Sequence, residues 1–275
     1  MSKYVISDVH GYLDRMFDVL RIANFDWDND ELYVLGDMID RGPQSAEALH
    51  WAVEEAPDNV HFLLGNHEDM AYRPLLIVDD EGPIDRYIFE NPWSWNGGYN
   101  TLDNCRELYG AEWCLKAALW IRDLPLYYIV DDKLLVHAGL VMGGARMDDD
   151  YIRDGKDELI EIPGIEKPQW SQHLLWARER WFLDQNSYPY DIIFGHTPTP
   201  INWMQNVQFA FAKFKKGESN IHFEGEPGDI VRISGFENGK VRYCIDTGRH
   251  RMGLLRLDDY AEFYSEYERE EEWVF

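Results

Sequence analysis

The sequence predicts an α/β fold of two packed mixed β-sheets flanked by helices, with a helical insertion. Three observations predict it. The first third of the chain repeats an apolar strand, a polar loop and an amphipathic helix; the second half consists of hairpins and single apolar strands; and a tryptophan-rich stretch at about residues 70 to 125 separates them. The 275 residues are expected to form one domain (1–275), including this insertion and an acidic excursion at about 141 to 170.

The elements follow in order. KYVIS runs into DVHG, after which Leu13, Met16, Phe17 and Leu20 share one helical face. ELYVL runs into GDMIDRG, and Leu49, Ala52, Val53 and Ala56 repeat the spacing, with Ser45 available as a cap. VHFLL runs into GNHE. Three such units in succession predict parallel strands joined by right-handed crossovers, so the loops after the strands gather at one sheet edge, where open α/β sheets bind ligands. Further on, LYYIVDDKLLVHAG reads as a hairpin turning at Asp131 and Asp132, and YDIIFGHT as a strand. DIVRISGFENGKVRYCIDTG reads as a hairpin turning at Asn238 and Gly239, and LLRL closes the set.

Composition bounds the function. At 45% hydrophobic and 15% aromatic residues the chain can bury a full core. MSKYVISDVHG lacks a basic segment followed by an apolar stretch, and no apolar run reaches the roughly 18 residues of a spanning helix, so a soluble, cytoplasmic protein is expected. Cys105, Cys114 and Cys244 are odd in number and widely spaced, which reads as buried small hydrophobes rather than a disulfide or thiolate-metal framework. A net charge of -25 argues against partners that are nucleic acids or membrane surfaces. Much of the acidity lies in MDDDYIRDGKDELIEIPGIE and the tail YEREEEWVF, read as solvated surface. An anionic substrate would therefore need local positive charge, from arginines or metal ions.

The polar strand ends supply candidates for that charge. Asp8 and His10 in SDVHG, Asp37 in GDMIDRG, Asn66 in GNHE, His137 in VHAG and His196 in FGHT form an oxygen and nitrogen donor set without sulfur, suited to hard or borderline divalent ions. Asp8 and His10 are two apart and point to the same side of an extended chain, while Asp37 and Asn66 each follow by 29 residues, about one strand-helix unit. His50, His61, His173, His222 and His250 lack such a setting.

These five blocks together resemble the signature of the calcineurin-like metallophosphoesterase superfamily. GDMIDRG with GNHE resembles its phosphoprotein phosphatase branch. WSWNGG at 93 to 98 and LLWARE at 174 to 179 look like its small bacterial and phage members, such as bacteriophage lambda-type serine/threonine phosphatases and symmetrical dinucleoside tetraphosphatases. The resemblance implies a metallophosphoesterase sandwich and two divalent ions, Mn first, with Fe, Zn, Co or Ni compatible. Asp8, His10 and Asp37 would hold one ion, and Asp37 would bridge to a second held by Asn66, His137 and His196. Such a pair would neutralise Asp8 and Asp37 and lower the pKa of a bridging water. Ser7-Asp8 departs from the Gly-Asp of many phosphoprotein phosphatases, with the ligand retained.

The catalytic expectations follow. His67 is the candidate general acid and Asp40 its orienting carboxylate. Arg41 and Arg178 are candidates for the phosphoryl oxygens, with Arg180 as rival to Arg178. Glu68 reads as a support for the ligands or a helix start, Asp246 has no assigned role, and Asn96, Gly97 and Gly98 read as a turn rather than a cleft rim. Trp93, Trp95, Trp113 and Trp120 fit a cleft cover or core packing equally. The first expectation for function is a serine/threonine phosphoprotein phosphatase that also takes small phosphoesters; the second is a dinucleoside tetraphosphate hydrolase. Oligomeric state is not legible.

Overall fold

The computed structural model describes residues 1–79, 92–141, 156–178, 181, 184, 186–199, 220–248 and 251–266. Along the chain, β1 (Lys3–Ile6), α1 (Leu13–Ile22), β2 (Glu31–Val34), α2 (Ser45–His50), β3 (Val60–Phe62) and α3 (Asn66–Ile77) form the three predicted strand-helix units. The long helix α4 (Tyr99–Asp123) follows, then β4 (Tyr127–Val130), β5 (Lys133–Val136), β6 (Leu159–Ile160), β7 (Gln169–Trp170), α5 (Ser171–Trp176) and β8 (Asp191–Phe194). The chain ends with β9 (His222–Glu224), β10 (Val231–Ser234), β11 (Arg242–Cys244), β12 (Gly253–Arg256) and β13 (Glu262–Tyr264).

Two mixed sheets result. One runs β13-β12-β1-β2-β3, with β1, β2 and β3 parallel and β12 antiparallel to β1. The other runs β4-β5-β8-β11-β10-β9, with β5, β8 and β11 parallel. The β4-β5 hairpin pairs Val130 with Lys133 across Asp131 and Asp132, as its sequence predicts.

Strand alternation explains how the sheets stack. Val5, Tyr33, Leu35, Leu135, Ile193, Tyr243 and Leu255 form one buried layer drawn from both sheets. Their neighbours Tyr4, Ile6, Leu32, Val34, Leu134, Val136, Ile192, Phe194 and Leu254 belong to the larger cluster that the helices share. Successive side chains point to opposite faces, so a strand with both faces covered must be apolar throughout, which is how KYVIS and DIIF read. Leu13, Met16, Val19 and Leu20 of α1 are buried on that outer layer, and α3 packs along α4.

Several details differ from the sequence reading. The insertion's first helix starts at Asn66 rather than near residue 70, because Glu68 caps the backbone at Gly65. Ser45 does not cap α2; its hydroxyl donates to the Gly42 carbonyl at 3.2 Å. The second amphipathic segment is α-helical only to His50 and continues as a π-helical turn, Trp51–Glu55. Strands β6, β7, β9 and β13 are two or three residues long, too short for alternation to reveal them. The predicted insertion and acidic excursion extend in part beyond the described residues, as do Arg180, His250 and the tail 267–275. The three cysteines are buried, as expected, and none forms a disulfide. Among the described residues no helix is long and apolar enough to cross a membrane.

Ile193 is fully buried in the layer between the sheets. Truncation to Ala should lower the stability of the fold by about 2–5 kcal/mol, read as a lower urea midpoint at unchanged m-value. An unchanged midpoint would contradict the packed two-sheet arrangement.

Candidate active site

Every strand named as a motif carrier ends at the same edge. The segments after β1, β2, β3, β5, β8 and β11 bring together Asp8, His10, Asp37, Asp40, Asn66, His67, His137, His196 and Asp246, all buried. Sharp reversals are needed to turn side chains inward so soon after a strand. Asp8, His10, Asp37, Asp40, Arg41 and His196 accordingly adopt left-handed backbone, with φ between 46° and 73°. Such conformations in non-glycine residues cost about 1–3 kcal/mol each and persist where the surroundings over-determine them.

One side chain does much of that determining. The Glu68 carboxylate accepts from the backbone N–H of Asp37 at 2.7 Å, Met38 at 2.8 Å and Gly65 at 3.2 Å, so the β2 and β3 loops are tied to a single group. Gly36, at φ 86°, lets these loops touch, since a Cβ there would collide with the backbone of Gly65. Burial pushes the Glu68 carboxyl up to about 7, opposed by these backbone donors.

Asp37 lies between two groups of potential ligand atoms. Its Oδ2 is 3.6 Å from His10 Nε2, and its Oδ1 is 3.6 Å from His137 Nε2. The first group also includes Asp8, whose Oδ1 is 3.9 Å from His10 Nε2. The second includes Asn66 Oδ1, which is 2.9 Å from both His137 Nε2 and His196 Nδ1. The ring orientations are set from behind: His10 Nδ1–H donates to the Ile39 carbonyl at 2.8 Å and His137 Nδ1–H to the Leu35 carbonyl at 2.7 Å. Both rings therefore present Nε2 lone pairs to the cluster.

This chemistry fits divalent cations. His137 Nε2 and Asn66 Oδ1 are both acceptors at contact distance, and the buried Asp8 Oδ1 and His196 Nε2 have no hydrogen-bond partner. Burial, with Arg41 and other nearby positive groups, keeps His10 and His196 neutral, as metal ligands must be. Burial first, and then the Asp8 charge, drives the Asp37 and Asp246 carboxyls well above the usual range. Two triads, His10 with Asp37 and His67, and Asp37 with His137 and His196, have atoms within 4.8 Å of one another.

His67 and Asp40 form a pair beside the first group. His67 Nδ1–H donates to Asp40 Oδ2 at 2.5 Å, leaving Nε2 toward the cleft. The Arg41 guanidinium, exposed on one side, donates to His67 Nε2 at 2.9 Å and to His10 Nε2 at 2.6 Å. Arg178 approaches from the other sheet, donating to the His196 carbonyl at 3.0 Å and Thr197 Oγ1 at 3.2 Å. All ten predicted site residues are thus brought to one edge. Sequence reasoning names Trp93 and Asp246 without these contacts and leaves out Thr101: Trp93 Nε1–H and Thr101 Oγ1–H each donate to Asp40 at 2.6 Å, and Asp246 is buried within electrostatic reach of Asp8. The WSWNGG block was a visible signal for Trp93, but nothing local marks Thr101. Asn96, Gly97 and Gly98 lie in a π-helical turn, Ser94–Gly98, that rests against Asp40 and Arg41, so the stretch is both a turn and a rim.

Several known proteins are similar to this chain. A symmetrical bis(5'-nucleosyl)-tetraphosphatase of Klebsiella pneumoniae (strain 342) is 32% identical over 261 residues, covering 92% of this chain and 69% of that protein. In fold the chain is similar to a metallophosphoesterase from Sphaerobacter thermophilus, with TM-score 0.52 at 17% identity, covering 97% of this chain and 88% of that one. A protein serine/threonine phosphatase from Saccharomyces cerevisiae gives TM-score 0.50 at 16% identity, covering 99% and 81%. Residues 1–231 match the family model of the calcineurin-like phosphoesterases, and the chain belongs to that family of two-metal phosphoester hydrolases.

Proposed function

We propose that the protein hydrolyses dinucleoside tetraphosphates, cutting the central anhydride to give two nucleoside diphosphates. The observation that carries this reading is the 32% identity, over 92% of the chain, to a relative named as a symmetrical bis(5'-nucleosyl)-tetraphosphatase. The motif-based expectation ranks a phosphoprotein first, and the relatives' names reverse that order. The phosphoserine reading is kept second, on the strength of the GDMIDRG and GNHE blocks and the fold likeness to a serine/threonine phosphatase.

In this reading Asp8, His10 and Asp37 would hold one divalent ion, and Asp37 with Asn66, His137 and His196 would hold the other. Bound there, the ions supply charge neutralisation and a water activated for attack on phosphorus. The chain's own groups do the rest. Arg41 swings its donors from the imidazoles to the phosphoryl oxygens, and Arg178 meets the same oxygens from the opposite sheet. His67 Nε2, which accepts from Arg41 here, takes up a solvent proton once Arg41 has turned to the phosphate and gives it to the departing oxygen as that oxygen's bond to phosphorus breaks. Asp40, on Nδ1, holds the ring in place and stabilises its charged form. A polyphosphate leaves more readily than a serine alkoxide, so the acid matters less for an anhydride than for a phosphomonoester.

The chelator-stripped protein, reloaded with Mn, should prefer diadenosine tetraphosphate to a phosphoserine peptide and release ADP as its only nucleotide. ATP plus AMP, or preference for the peptide, would overturn the substrate assignment. His67→Asn should lower kcat on the peptide by roughly 10²–10⁴-fold, with a smaller loss on the dinucleotide. Equal losses would remove His67 from the acid role.

Metal uptake should compete with protons. A carboxyl held above its usual range, as burial and Asp8 hold Asp37, keeps its proton to higher pH, and a cation must displace it. Mn affinity measured calorimetrically should therefore strengthen as pH rises, with the number of protons released on binding falling as it does. Affinity independent of pH would contradict the proposed ligand set.

A further inference from the structure

We infer that Trp93 and Thr101, within the helical insertion, are positioning residues that hold the Asp40–His67 pair in its proton-donating geometry. The inference rests on the proposed role of His67 as acid and extends it to residues on a separate element.

Asp40 is fully buried, and its carboxylate is enclosed by donors. Oδ2 accepts from His67 Nδ1 at 2.5 Å and from Trp93 Nε1 at 2.6 Å, while Oδ1 accepts from Thr101 Oγ1 at 2.6 Å. The two oxygens are thus fixed in rotation about the Cβ–Cγ bond, and with them the direction from which His67 is held. A carboxylate with only the imidazole as partner could pivot and carry the ring with it. The donors also oppose the burial that drives the Asp40 carboxyl up to about 7, so they favour the charged form the imidazole needs.

The surrounding chain is shaped for this contact. Trp93 is fully buried, and Gly98 lies flat against its indole, where any Cβ would collide with the ring. Gly97, at φ 101°, brings the same turn onto Asp40 and Arg41: a Cβ there would stand 2.8 Å from Arg41 N. Thr101 is buried one turn into α4. WSWNGG therefore functions as a bracket: one residue donates to Asp40, and its glycines let the bracket close on the loop that carries Asp40 and Arg41. Trp93 is thus packed in the core, one of the two readings of the insertion's tryptophans, and in addition donates to Asp40, whereas Trp95 is largely exposed.

Thr101→Val keeps volume and Trp93→Phe keeps an aromatic ring at some loss of volume; each removes one donor. With Mn-loaded protein, each should reduce kcat on phenyl phosphate, a poor leaving group, by roughly tenfold, and on p-nitrophenyl phosphate, a good one, by much less. Thr101→Ser should restore the phenyl phosphate rate, and Trp93→Phe should add no further loss in a His67→Asn background. In the metal-free protein, the downfield Nδ1 proton of His67, assigned by its disappearance in His67→Asn, should shift in both variants. Equal losses on the two esters, an undiminished loss in the His67→Asn background, or an unmoved Nδ1 proton would each overturn the inference. Aryl esters and the proton resonance keep this test independent of the dinucleotide: a wild type that ignores diadenosine tetraphosphate would refute the substrate assignment alone.

Discussion

Like charge brought together out of water is the constraint around which this molecule is organised. Asp8, Asp37 and Asp246 converge at one sheet edge, buried, with Glu68 immediately behind. Carboxylates so placed either take up protons or find cations, because neither solvent nor distance screens them. The neutral imidazoles of His10, His137 and His196 face the same space with lone pairs outward, so the arrangement attracts divalent ions rather than arginine or lysine side chains alone. The net charge of -25 makes the point more acute: the general field would repel an anionic ligand, and at this edge Arg41 and Arg178, with any cations held there, would offset that repulsion.

Holding that geometry requires stiffness, and the fold provides it in two ways. The parallel strands β1, β2 and β3, with β5 and β8 of the second sheet, deliver five loops to one edge, and both faces of these strands are covered by apolar layers. The loops are then tied to one another rather than to solvent: Glu68 joins the β2 and β3 loops, and the backbone N–H of His196 donates to Asp8 Oδ2 at 2.9 Å, joining the two sheets. Strained left-handed residues at six positions are tolerated because these ties leave no relaxed alternative.

The arginines and the imidazole pair show a second kind of organisation, in which mobile charge is kept close to fixed charge. Arg41 spans His10 and His67, and Arg178 is hinged on the His196 carbonyl and Thr197. Both guanidiniums sit at the rim with one side exposed, a position from which a planar fork can turn to phosphoryl oxygens. The insertion contributes to this arrangement through Asp40, which links the helical and sheet parts of the protein in one hydrogen-bonded unit.

The sequence alone determined the α/β class and the parallel units, and it marked the ten candidate residues that the fold brings together, because most of them are local: a strand end, a glycine turn, a polar residue at a fixed offset. Asp37 and Asn66 at successive spacings of 29 residues already implied neighbouring strands. Contacts between elements distant in the chain were decided only by the tertiary structure. Thr101 is 61 residues from Asp40 and Trp93 is 53, and nothing in a helix-forming stretch marks one threonine as a donor to a carboxylate so remote. Glu68 looked like a helix start and is one, but its hold on the β2 loop, 31 residues back, depends on the two loops touching where Gly36 lets them. Short strands such as β9 and β13 escaped for the related reason that pairing across the sheet, not periodicity within three residues, makes them strands.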